Sequence, residues 1–156
     1  MEKIQTIAMT IFEKEELKKF LPHRELALIL DRIIYDKNFS HKIIGKKFIL
    51  ENELYTAGHF PGNPILPGHW QIEMFALTAA VLVKLAHPEI VGLPKLISVK
   101  TEFKRPVSIG DELTIYAEIV NEEKMLGYPL FTFSGKISNQ QKKSVSIIHE
   151  LKGIAS

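Results

Sequence analysis

The chain contains no cysteine, which excludes disulfide scaffolds, thiol nucleophiles and zinc ribbons. It also lacks an excess of one charge, because 20 basic residues face 18 acidic ones, and this balance gives no support for a nucleic-acid-binding module. The longest apolar run, residues 74–83, contains Thr78 and is too short to span a bilayer. We therefore expect a cytoplasmic protein with no membrane span and no nucleic-acid partner.

The length of 156 residues predicts a single domain, residues 1–156, large enough for a hydrophobic core. Charge is nearly absent from the middle of the chain, where residues 61–93 contain only Lys84, Glu73 and Glu89 as charged side chains. Charged side chains are rarely buried without a partner, so this stretch is expected to lie in the interior.

The pattern of apolar residues predicts a helix surrounded by strands. Thr10 and Glu13 are spaced like a capping box and predict a short helix that ends at Phe20, before Pro22. A long helix is predicted over 69–86. Strands are predicted over 26–35, 40–50, 96–103, 112–121, 130–138 and 144–151. No helical pattern separates the last four strands, so an antiparallel meander and an α+β fold are expected.

Residues 58–68 form a loop rich in glycine and proline that leads into the long helix. That helix has apolar residues on every side, which predicts that it is enclosed. Glu73 is a lone carboxylate within it. Because burial of an ionised carboxylate without a partner is costly, Glu73 is a candidate functional group. The alternative is a structural ion pair with Arg24, Arg32 or Lys84, or a helix side that reaches solvent.

His59 lies in the stiff loop, where its imidazole would be held in one orientation and could serve as a general base. The alternative from the residues alone is a loop histidine bonded to a backbone carbonyl. The histidines show no HExxH or HxH motif and no pair at helical spacing, so no metal site is predicted.

Three blocks of the chain, in order, resemble the 3-hydroxyacyl-[acyl-carrier-protein] dehydratases. The middle block runs from Asn52-Glu53 through the loop at 58–68 to Ile72-Glu73. The flanking blocks are 21–24 with 30–32, and 103–107 with 110–111. The resemblance implies a hot-dog fold, in which a curved antiparallel sheet wraps around a long central helix. It also implies a homodimer, a larger assembly of three dimers, and acyl carrier protein as the partner, with no cofactor.

The resemblance further implies dehydration of a 3-hydroxyacyl thioester to the trans-2-enoyl thioester. His59 would remove the C2 proton, Glu73 would protonate the departing hydroxyl, and the N–H of Gly68 would polarise the thioester carbonyl. Glutamate at position 73 resembles the branch that dehydrates without isomerising. The implied substrate pocket contains Phe60, Pro67, His69 and Leu77, and the implied carrier-binding patch contains Lys100, Lys104 and Arg105.

The chain departs from the family pattern beside these residues. Leu77 stands where the family usually has glutamine, and His69 and Trp70 stand where smaller or aliphatic residues are usual. The departures leave the His59–Glu73 pair intact and concern the choice of substrate. A hot-dog thioesterase and a non-catalytic acyl-binding paralogue remain alternatives, which product analysis would separate.

Overall fold

A computed structural model describes residues 8–53 and 58–156. Their seven strands form one antiparallel sheet in the order β1-β2-β3-β5-β6-β7-β4. The strands are β1 (Met9–Glu13), β2 (Arg32–Asp36), β3 (Lys42–Phe48), β4 (Pro94–Phe103), β5 (Glu112–Met125), β6 (Tyr128–Ser138) and β7 (Ser144–Ala155). A short helix, α1 (Lys14–Leu17), follows β1, and the long helix α2 (Gly68–Ala86) lies between β3 and β4. The α+β hot-dog fold is confirmed.

The helix α2 is buried over most of its length, but one face of its first half remains open. All residues from Leu77 to Val83 are buried. Near the start of the helix, His69 is exposed and Ile72, Glu73 and Ala76 are only partly buried. Spacings of three and four residues place these side chains on one face. The prediction of an enclosed helix is therefore right for the second half and wrong for this face.

The contact between α2 and the sheet depends on glycines in the strands. A Cβ at Gly135 of β6 would lie 1.8 Å from the carbonyl oxygen of Tyr116 in β5 and 2.9 Å from the Phe75 ring of α2. A Cβ at Gly45 of β3 would lie 2.5 Å from Thr78 Oγ1. These positions have no room for a side chain, so the sheet can approach the helix closely there.

Two of the predicted N-terminal elements differ in the structure. Thr10 does not begin a helix but pairs with Tyr35 in the β1–β2 ladder. The helix begins after Glu13, whose N–H donates to the Glu16 carboxylate over 2.9 Å. The strand predicted over 26–35 is shorter in the structure, because Glu25–Ala27 form a 3-10 helix and the strand β2 begins only at Arg32. The buried residues Leu28, Ile29 and Leu30 lie between these two elements and belong to the hydrophobic core.

The predicted meander is also wrong in one pairing. Strand β4 pairs with β7 at the edge of the sheet, and β5 pairs with β3 instead. The connection from β4 to β5 contains Pro106, and it bonds with the loops near the helix, where Leu66 N–H donates to the Val107 carbonyl. A segment tied to these loops cannot form a tight hairpin, so the chain crosses the end of the sheet before β5 begins.

We predict that Gly135→Ala lowers the free energy of unfolding by about 3 kcal/mol or more, because the added methyl collides with a backbone carbonyl. Gly127→Ala is the control, since Gly127 has a φ of +82° and no atom of the described residues lies within 4 Å of its added Cβ. Backbone strain alone predicts a loss of roughly 1–2 kcal/mol there. Urea denaturation measures both, and equal losses would contradict the packing argument.

Candidate active site

The loop before α2 fixes the orientation of His59. Its Nδ1 lies 2.8 Å from the carbonyl oxygen of Ile65, and Ile65 N–H donates to the His59 carbonyl over 2.6 Å. A carbonyl oxygen only accepts hydrogen bonds, so Nδ1 carries the hydrogen in this arrangement. The neutral ring therefore has its lone pair on Nε2, the atom that can accept a proton. The Phe60 ring stacks on the imidazole with centroids 4.2 Å apart.

His59 lines a cavity of about 490 Å³ at the start of α2. Gly68, the first residue of α2, also lines this cavity. Its N–H belongs to the first helical turn, where N–H groups have no hydrogen-bond acceptor within the helix. The partial positive charge at this end favours an oxygen that gains negative charge. The Phe103 ring closes one side, because a Cβ at Gly68 would lie 2.7 Å from it.

Glu73 lines a different and largely apolar cavity of about 700 Å³, on the open face of α2. Leu96 and Val99 of β4 form another part of this wall. His69 is the residue that appears in the walls of both cavities. Within one chain, His59 and Glu73 therefore lie on the walls of different cavities.

Of the four residues predicted to form the substrate pocket, only one lines either cavity. His69 lines both cavities, while Pro67 is buried immediately before α2. Phe60 is exposed and does not line either cavity, and Leu77 is buried in the core. Leu77 is therefore not among the residues that line either cavity of the single chain.

The three predicted carrier-binding residues do not form one patch around the cavity. Lys104 and Arg105 line the His59 cavity, whereas Lys100 is exposed on β4 and does not line it. Lys104 forms an ion pair with Glu102, which also lies 2.9 Å from His149 Nε2. The pKa of Glu102 is lowered, chiefly by the hydrogen bond from Lys104 and next by the hydrogen bond from His149. Arg105 Nη1 donates to the Ser144 carbonyl over 2.7 Å.

Sequence reasoning missed Lys47, a buried lysine that joins two of the three blocks. Its side chain is 3% exposed, it forms an ion pair with Glu53, and its Nζ lies 3.6 Å from Asp31 Oδ1. The period of two in β3 could have revealed it, because Lys47 shares the buried face with Ile43 and Gly45. The ion pair joins the end of β3 to Glu53, six residues further along the chain.

Sequence reasoning also missed Gln71, a buried amide on α2 that lines the His59 cavity. The signal available was one polar residue in an apolar stretch, three positions after Gly68. Within residues 8–53 and 58–156, no cluster of three or more histidine and acidic side chains could hold a metal ion. The same residues include no helix with the length and apolar character needed to cross a membrane.

Comparison with known proteins identifies the family. Residues 35–144 match the model of the ApeI-like family, described as ApeI dehydratase. The chain belongs to the ApeI-like dehydratase family. The 3-hydroxyacyl-[acyl-carrier-protein] dehydratase FabZ of Thiobacillus denitrificans is 35% identical over 112 residues, which are 69% of this chain and 77% of that protein. FabZ of Thermomicrobium roseum is 34% identical over 124 residues, covering 75% and 78% of the two chains.

Solved structures agree with the fold of this ApeI-like dehydratase. A chain of the dehydratase heterocomplex ApeI:P from Xenorhabdus doucetiae superposes with a TM-score of 0.73 at 17% identity, covering 90% of each chain. Zebrafish thioesterase superfamily member 2 superposes with a TM-score of 0.63 at 11% identity, covering 92% of this chain and 97% of that one. At these identities the likeness shows the fold alone. The predicted family and the dehydratase class are confirmed by the sequence relatives.

We predict that Lys47→Met lowers the free energy of unfolding by about 3 kcal/mol, because it leaves the carboxylates of Asp31 and Glu53 without their buried cation. Lys46→Met is the matched control. The Lys46 side chain lies on the opposite face of β3 from that of Lys47, and its Nζ donates to Thr114 Oγ1. We expect a loss of about 1 kcal/mol or less there. Denaturation of both variants tests this, and a similar small loss for both would show that the buried pair is unimportant.

Proposed function

We propose that this dehydratase removes water from 3-hydroxyacyl thioesters carried by acyl carrier protein and forms trans-2-enoyl thioesters. The observation that carries the proposal is the His59 ring, which is oriented by the Ile65 carbonyl and lines the same cavity as the first turn of α2. The FabZ relatives, about 35% identical, are named for this reaction. The predicted cytoplasmic location stays a prediction.

The proposed reaction needs a base, an acid and a polarised carbonyl. His59 Nε2 takes the C2 proton while the Gly68 N–H stabilises the negative charge that develops on the thioester oxygen. The electron pair of the C2–H bond forms the C2–C3 double bond, and the C3–O bond breaks. Glu73 gives its proton to the departing oxygen, which leaves as water. The imidazolium proton returns to the Glu73 carboxylate through solvent, and no electron is transferred, so the proposal includes no cofactor.

We propose further that each site is built from two chains, with His59 and Gly68 from one and Glu73 from its partner. The separate cavities of His59 and Glu73 within one chain support this arrangement. Strand β4 lies at the sheet edge, where Leu96 and Ile97 are about half exposed. A second copy paired along β4 would cover this edge and the open face of α2, since β4 lines both cavities. A hexamer of three dimers stays a prediction.

The carrier is proposed to dock beside the His59 cavity. Acyl carrier proteins are strongly acidic, and Lys104 and Arg105 place two cationic side chains on the cavity wall. The Glu102 carboxylate offsets part of this charge through its ion pair with Lys104. Arg105, which is bonded to a backbone carbonyl, keeps its full charge at this surface.

Hydrolysis of the same thioester is the alternative suggested by thioesterases of the same fold. The solved structures named as thioesterases are 10–15% identical to this chain. Identities this low support the shared fold and not a shared reaction. Incubation of the protein with a 3-hydroxyacyl carrier protein and mass spectrometry of the products separates the two reactions. Formation of the enoyl thioester would support dehydration. Formation of the free acid would contradict it and support hydrolysis.

We predict that His59→Ala and Glu73→Gln each reduce kcat roughly 100- to 10,000-fold without unfolding the protein, because each removes one proton-transfer group. If sites are shared between chains, mixing the two inactive proteins under subunit exchange restores part of the activity, since one site of a mixed dimer keeps both groups.

His69→Val serves as the control for these variants, because His69 lines both cavities without a proposed role in proton transfer. It should alter the preference among acyl chains and retain turnover. Loss of turnover with His69→Val and a mild effect of His59→Ala would mean that the base is the other histidine. Absence of complementation despite proven exchange would contradict the shared site.

For carrier docking, we predict that changing Lys104 and Arg105 together to glutamate reduces kcat/KM for the carrier-bound substrate about 10-fold or more. The same change should affect an N-acetylcysteamine thioester little, because the mimic has no acidic protein surface. Changing Lys37 and Lys42 to glutamate is the charge-matched control, since both are exposed and do not line the cavity. Equal losses with both substrates would remove the docking role.

A further inference from the structure

Gln71 is a buried amide whose oxygen has no donor among the described residues. The residue is 3% exposed, and its Oε1 accepts no hydrogen bond from residues 8–53 and 58–156. A buried polar atom without a partner costs free energy and is uncommon in folded proteins. Gln71 is among the residues that line the His59 cavity, which makes a molecule bound there a candidate for the missing donor.

The position of Gln71 on α2 places it with the proposed reacting groups. Gly68 precedes it by three residues, so both lie on the same face of the helix. Side chains on a helix point toward its N-terminus, which brings the Gln71 amide toward the turn that carries the Gly68 N–H. His59, Gly68 and Gln71 therefore line one cavity from one chain, while Glu73 lines another.

We propose that Gln71 Oε1 accepts a hydrogen bond from the 3-hydroxyl of the substrate and makes Gln71 a specificity-determining residue. This inference rests on the proposed dehydration. The hydroxyl oxygen must accept a proton as the C3–O bond breaks, so its lone pair has to face the acid. An acceptor for its hydrogen, on another side, fixes that orientation. The cations Lys104 and Arg105 only donate, and His59 Nε2 is needed for the C2 proton.

The amide also gives the cavity a way to discriminate between acyl chains. A 3-hydroxyacyl thioester satisfies the buried oxygen, whereas a saturated acyl thioester leaves it without a donor. Cavities that hold a polar group for a substrate hydroxyl reject analogues that lack the hydroxyl, because the protein group then loses its partner. An apolar side chain at position 71 would remove this discrimination and keep the shape of the wall.

The test compares ligand binding in the His59→Ala protein, in which the expected loss of kcat slows conversion of the ligand during the measurement. Dissociation constants are measured by calorimetry for the 3-hydroxydecanoyl and decanoyl thioesters of N-acetylcysteamine. We expect tighter binding of the hydroxylated ligand by about 10-fold or less, as one hydrogen bond allows. Adding Gln71→Met, which keeps the side-chain length, should reduce the difference to less than about 2-fold.

Thr78→Val in the same background is the matched control. Thr78 lies seven residues further along the same face of α2, and its buried hydroxyl donates to the Met74 carbonyl over 2.8 Å. The preference should survive this change. A preference that persists with Gln71→Met, is lost with Thr78→Val, or is absent from the parent protein overturns the proposal.

Two further measurements keep the test decisive. If the Gln71→Met variant does not fold, the ligand is changed instead of the protein. The 3-fluorodecanoyl thioester is similar in size to the 3-hydroxydecanoyl thioester but cannot donate a hydrogen bond. Equal affinity of the parent protein for the hydroxy and fluoro ligands then overturns the proposal. Product analysis of the unaltered protein tests dehydration separately. Lack of enoyl product refutes the proposed function, whereas dehydration with an unchanged preference in Gln71→Met refutes only the role of Gln71.

Discussion

The structure depends on covering an apolar helix of 19 residues with a sheet that reaches only part of it. Burial of the residues from Leu77 to Val83 supplies a large part of the hydrophobic core, and the glycines at 45 and 135 allow the strands to approach closely. Near the start of the helix the sheet no longer covers the face that contains Ile72 and Glu73. Both cavities lie around this first half, so the limit of the sheet's coverage determines where a substrate can bind.

Much of the fold could be predicted from local patterns. The helix and the strands after it were placed to within a few residues, because apolar periodicity and glycine or proline boundaries are local properties. Two of the errors involve the choice of partner strand. Thr10 has a good capping spacing, but pairing with Tyr35 decides its conformation. The position of β4 beside β7 depends on contacts between residues far apart in the chain, which no window of sequence contains.

The candidate site was predictable where a rigid loop contains the chemistry. His59, Gly68 and Glu73 lie within 15 residues, so their spacing could be read directly and matched with a family. Lys47 and Gln71 were missed because their importance comes from burial, which a polar residue type does not indicate. The pocket role that the family resemblance gave to Leu77 stays a prediction, because the side chain is buried in the single chain.

The edge position of β4 has a consequence for the order in which the protein can assemble. Its ladder partner, β7, is the last strand among the described residues and begins about 40 residues after β4 ends, so β4 cannot pair until those residues have left the ribosome. Phe103 and Arg105, which close the cavity beside Gly68, are held in place by that late pairing. During synthesis the helix and its loop therefore exist before the wall that completes the cavity. Any ligand or second copy that needs this wall has to wait for the C-terminal strand.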